Sequence, residues 1–105
     1  DFLNEVTLYD ICKIFKDAVN NAPTQDSFEI YRETISLKDQ QDFILQQFNN
    51  DKILSLKNLV KKLETKLEII VTFLALLEMI KRSEIICSQK ENFEDIEIKL
   101  IIAEA

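Results

Sequence analysis

Fourteen residues, Leu67 to Ile80 (L-E-I-I-V-T-F-L-A-L-L-E-M-I), constrain this chain more than any others. A membrane span needs about 20 apolar residues, and this run is shorter and carries Glu68 and Glu78. Read as a helix at about 100° per residue, its apolar positions (Leu67, Ile69, Ile70, Val71, Phe73, Leu74, Leu76, Leu77 and Ile80) cover roughly 220° of circumference. A helix on a globular surface needs a stripe of little more than ~100°. Glu68, Thr72, Ala75, Met79 and Arg82 fall on the remaining face, which is expected to look outward. The sector of Ile69, Phe73, Leu76 and Ile80 must be covered, because each wet side chain forgoes about 1.5–3 kcal/mol of burial. Neighbouring helices and strands of the same domain, or a partner's surface, are the two ways to cover it.

Composition closes several functional classes. The 105 residues are 47% apolar and 30% charged, which suits one soluble globular domain with a short extension. Glycine is absent, so no Gly-rich phosphate loop or dinucleotide fingerprint exists. Turns needing positive φ are expected to fall to asparagine, at Asn20-Asn21, Asn49-Asn50 and Asn92. Histidine is absent too, which removes the commonest general base and zinc ligand. Glu91, Glu94, Asp95 and Glu97 match no calcium-loop spacing and read as a solvated acidic tip. No enzyme, cofactor or metal site is expected. A net charge of −6 and a pI near 4.6 argue against a dedicated nucleic-acid binder. Cys12 and Cys87, with no secretion signal, read as reduced thiols of a cytoplasmic protein. The first residue, Asp1, suggests a piece of a longer protein.

Local signals divide the chain in two. Residues 1–27 read as a helical arm and linker. Thr7-Leu8-Tyr9-Asp10 has the form of a capping box, opening a helix to about Asn20 with Leu8, Ile11, Cys12, Phe15, Ala18 and Val19 on one face. Asn20-Asn21-Ala22-Pro23 stops it. Residues 28–105 read as one domain. Phe28 to Ile35 alternates as a short strand or extended arm. Ser36-Leu37-Lys38-Asp39 caps a helix ending near Phe48, with Leu37, Gln40, Ile44, Leu45 and Phe48 inward. Ile53-Leu54 is a two-residue apolar stub, and Ser55 caps a helix to about Leu63 with Leu56, Leu59, Val60 and Leu63 inward. The long helix, Lys66 to Ser83, follows, then strands at Ile85 to Gln89 and Ile96 to Ile102. The last alternates Ile96, Ile98, Leu100 and Ile102 with Glu97 and Lys99, as a half-buried strand does.

The order helix, stub, helix, helix, strand, strand is that of a winged helix: mainly α (α+β), with three helices, a two- to three-stranded wing and the helical arm in front. Winged helices commonly read DNA, inserting the last helix in the major groove. Here the polar face of that helix lacks base-reading side chains. The wing from Glu84 to Glu97 holds five acids and one base. Lys57, Lys61 and Lys62, with Lys52 and Lys66 nearby, form the one basic patch. A DNA-binding transcription regulator is therefore the rival reading, and a symmetric homodimerisation domain a third.

Thr72-Phe73-Leu74-Ala75-Leu76-Leu77-Glu78-Met79-Ile80-Lys81, followed by Phe93-Glu94-Asp95-Ile96, resembles the C-terminal domain of the segregation and condensation protein A family, the bacterial kleisins of SMC condensin complexes. The resemblance is densest over Lys66 to Ile98. Ser83 and Glu94 stand where that family usually has glycine. The resemblance implies a non-catalytic subunit, cytoplasmic and nucleoid-associated, for chromosome condensation and segregation in cell division. Its winged helix would dock on an SMC ATPase head, and its central region would bind the dimer of segregation and condensation protein B. It would meet DNA only through the complex and would have no membrane role. Phe93, Ile96, Ile98 and Leu100, with Ile86, are the expected head contacts, unless they merely pack the core. Phe2, Leu3, Leu8, Tyr9, Ile11 and Phe15 of the arm are the candidates for the second partner.

Overall fold

The computed structural model describes residues 8–22, 35–89 and 95–101. The Thr7 cap, Phe2 and Leu3, the linker from Thr24, the stretch Phe28 to Thr34, most of the wing tip including Asn92 and Phe93, and Ile102 lie outside the described residues.

Helix α1 is Leu8–Asn21 and α2 is Leu37–Gln46. The Ser36 capping box forms as expected. Asp39 N–H donates to Ser36 Oγ at 3.0 Å and Ser36 N–H to Asp39 Oδ2 at 3.2 Å. The stub is strand β1, Ile53–Ser55, followed by α3, Leu56–Lys61, with Ser55 as its N-cap. Helix α4 is Lys66–Lys81, and strands β2 (Ile85–Gln89) and β3 (Ile96–Leu100) complete the wing. The sheet is antiparallel in the order β1-β3-β2, the α+β winged-helix arrangement. Its inner face stacks Leu54, Ile98 and Cys87 in one cross-strand row and Ile85 beside Leu100 in another. These pack on Leu56, Leu59, Ile69, Leu76 and Met79 in one continuous core. Ile11 and Phe15 of α1 are buried in that same core, with the Phe15 and Phe73 rings 5.1 Å apart.

A second capping box opens α4. Glu68 N–H donates to Thr65 Oγ1 at 3.1 Å, and Thr65 N–H donates to Glu68 Oε1 at 3.2 Å. The helix closes in a Schellman motif, with Glu84 N–H donating to the Met79 carbonyl and Ser83 N–H to that of Ile80. Ser83 takes φ 62° there, and Lys52 takes φ 65° before β1. Among the described residues these two, and no asparagine, hold positive φ, which corrects the expectation. Asn49 instead uses its side chain. Its Oδ1 accepts from Asp51 N–H at 2.8 Å and Ile53 N–H at 3.1 Å, bracing a turn whose left-handed position falls to Lys52 rather than to asparagine.

The orientation of α4 is the larger correction. Thr72, Ala75 and Met79, expected outside, are buried, whereas Leu67, Ile70 and Leu74 are 41–46% exposed. Ile69 and Leu76 are buried and Phe73 and Ile80 partly so, all within the chain's own core. The inward face is set by packing against α2. Ala75 is fully buried, and Gln40 Nε2 donates to Thr72 Oγ1 at 2.7 Å, so the buried hydroxyl is satisfied. On α2, Gln40 and Ile44 point inward, but Leu37 and Leu45 are exposed, contrary to expectation, as is Leu8 on α1.

Candidate protein-docking site

Alternation along β3 sends Ile96 and Ile98 into the core, where both are almost fully buried. Leu100 shares that face and packs partly against the core. In the isolated domain these three side chains build the wing rather than present it. Ile86 points the other way. It sits across from Lys99, which pairs in turn with Ile53 on β1, and Ser88, Glu97 and Ser55 make the adjacent outer row. The outer sheet face is thus half-buried Ile86 and Ile53 among small polar and charged neighbours.

Asp95 fixes where the wing rejoins the sheet. Its carboxylate accepts from the Ser55 hydroxyl, from Lys57 N–H at 3.0 Å and from its neighbour Ile96 N–H at 2.7 Å. It is therefore a second cap for the first turn of α3, supplied from forty residues downstream of Ser55. The expectation of a solvated acidic tip does not hold for this residue.

On the arm, Tyr9 and Leu8 are strongly exposed, and Ile11 and Phe15 are interior. Cys12, Phe15, Lys16 and Val19 of α1 face Ile69, Ile70 and Phe73 of α4 across a depression of about 190 Å³. A larger groove, about 830 Å³, runs between α1 and α3, lined by Asp17 of α1, by Lys57, Lys61 and Glu64 on the α3 side, and by the apolar Val60, Leu63 and Ile69. Lys62 donates to Gln47 Oε1.

The face of α4 that a DNA reader would insert is Leu67, Ile70 and Leu74. Its middle turns offer no hydrogen-bonding side chain to a base edge, the lysines Lys66 and Lys81 standing only at its two ends. Among the described residues no group of three or more His, Cys, Asp or Glu could hold a metal ion. No helix of the described residues is long and apolar enough to cross a membrane. Both cysteines are free, and burial pushes the Cys87 thiol up to about 11 from 9.0. Sequence reasoning missed the exposed α4 stripe and the Asp95 clamp. The stripe's i, i+3, i+7 spacing was visible but lay inside a longer apolar arc.

Residues 4–101 match the family described as Segregation and condensation protein ScpA. Segregation and condensation protein A of Clostridium acetobutylicum is 33% identical over 113 residues, spanning 98% of this chain and 44% of that protein. The Clostridium perfringens protein of that name is 29% identical over 107 residues, spanning 97% of the chain and 43% of its own length. That of Brevibacillus brevis is 33% identical over 95 residues, with 90% and 37% covered. The chain spans less than half the length of these relatives. No solved structure matches it.

Proposed function

The chain belongs to the segregation and condensation protein A family, and we propose that it serves chromosome segregation and condensation as a non-catalytic kleisin piece. Its winged helix docks on an SMC ATPase head, and its α1 region contributes to binding the dimer of segregation and condensation protein B. The whole kleisin then bridges the SMC heads in the cytoplasm, at the nucleoid, and meets DNA only through the complex. The observation that carries this reading is the family match across α1 and the winged helix alike. The apolar face of α4 supports protein docking over DNA reading.

With Ile96 and Ile98 committed to the interior, the head contact is assigned to what the wing leaves outside. Those contacts are Ile86 on the outer sheet face and the partly buried Leu100 at the far end of β3, together with Phe93, expected from the sequence. Leu8 and Tyr9, exposed on α1, are the assigned contacts for the second partner, while Phe15 supports them from within. A pull-down with the cognate SMC head carrying part of its coiled coil tests the docking. Ile86→Glu and Phe93→Glu should abolish capture with the far-UV spectrum unchanged. Capture retained by both variants would remove the wing from the interface.

A further inference from the structure

Leu67, Ile70 and Leu74 stand at i, i+3 and i+7 on the outer face of α4, each more than two-fifths exposed. Beside Ile70 lies the 190 Å³ depression walled by α1 and α4, floored by Phe15 and Phe73 and edged by Lys16. That volume suits a single large apolar side chain. A ridge of apolar residues two turns long next to a one-residue socket is the shape that receives an amphipathic helix.

Among the described residues the charges around it are one-sided. Lys16 on α1 and Lys66 and Lys81 on α4 are exposed around the stripe, in a chain whose net charge is −6. The one acid on the exposed arc of α4, Glu78, is ion-paired to Arg82 at 2.9 Å. Asp10 and Asp17 lie on the opposite side of α1, about 140–160° round from Cys12 at 100° per residue. A second copy of this chain is a poor occupant, because an isologous contact sets the same lysines against one another.

We infer that the α1–α4 face takes an acidic amphipathic helix of another polypeptide, seating one large apolar side chain in the socket beside Ile70 and placing carboxylates against Lys16 and Lys66. The inference uses neither the sheet nor Leu8 and Tyr9, so its failure leaves the docking assignments above standing.

The test is a fluorescence-anisotropy titration of the whole chain with two labelled peptides of about 18 residues, long enough to hold helix in water. One carries leucines along one face with glutamate flanks; the other has lysine flanks. The glutamate peptide should bind and the lysine peptide should not. Ile70→Asp should weaken binding at least tenfold, and so should Leu74→Asp. Lys16→Glu with Lys66→Glu should reverse the preference. All four positions are exposed, so far-UV spectra should match the parent. Equal binding of both peptides, or none, overturns the inference. So does a dimer in light scattering that Ile70→Asp dissolves, or capture by anionic phospholipid vesicles that the same variant loses.

Discussion

The buried bond between Gln40 and Thr72 tests the orientation of α4 more sharply than any surface change. Thr72→Val keeps the shape of the side chain and deletes the hydroxyl that Gln40 Nε2 reaches at 2.7 Å. Both residues are buried. An amide left without its partner in such a place costs about 1–3 kcal/mol, and the added methyl returns up to ~0.8 kcal/mol. A net loss between about 0.2 and 3 kcal/mol follows, centred near 1–2 kcal/mol. Gln40→Leu alone should cost less, because the Thr72 hydroxyl can turn to a carbonyl of its own helix. The double variant, apolar on both sides, should lie within ~0.5 kcal/mol of the parent, giving a coupling of at least ~1 kcal/mol. Urea titration followed by circular dichroism reads this as a shifted midpoint at unchanged slope. If Thr72 faced water, as the sequence pattern alone suggests, Thr72→Val would be neutral. A loss under ~0.2 kcal/mol, or single losses that simply add, would refute the packing of α4 on α2.

Two further expectations follow from local geometry. Ser83→Gly relieves a left-handed position at φ 62° and should stabilise the domain by about 0.5–1 kcal/mol in the same titration; a destabilisation would mean the Schellman turn needs the serine. Cys87 is buried and Cys12 partly exposed, so a disulfide reagent at pH 7.5 should label Cys12 alone in the folded chain. Because the folded thiol at position 87 titrates near 11 rather than 9.0, the neutral form's contribution is complete below pH 9. It is lost as pH rises through 11, about 2–3 kcal/mol in all. Cys87→Ala, measured across that window, should flatten the alkaline decline.

Where the sequence carried a sharp local signal, the fold was readable from it. The Ser36 box, the Ile53 stub, the Ser55 cap and the alternation of β3 each rest on two or three residues whose chemistry admits one arrangement. The Thr65-x-x-Glu68 box had the same signal and escaped notice inside the apolar run that follows it. Rotation of α4 about its axis was not readable. A helix apolar around most of its circumference has no dominant face, so the choice fell to tertiary partners, such as Gln40 for Thr72. Positive φ at Lys52 and Ser83 was hidden for a related reason, since hydrogen-bonded ends on either side force these residues into a region their side chains do not favour. At the candidate site, Ile86 and Ile98 are neighbouring-strand residues of equal hydropathy. Alternation along β3 already turns Ile98 inward, whereas in the run Ile85-Ile86-Cys87 only the cross-strand register turns Ile86 outward.

The clamp made by Asp95 turns the wing into a lever. One carboxylate joins the re-entry point of the loop to the first turn of α3, and α3 seats Leu56, Leu59 and Val60 deep in the core. A protein that gripped the wing would therefore pull on α3 through this side chain as well as on the core through Ile96 and Ile98. Asp95→Asn keeps one acceptor oxygen but gives up the charge, and should slacken this handle while Ser55 still caps α3.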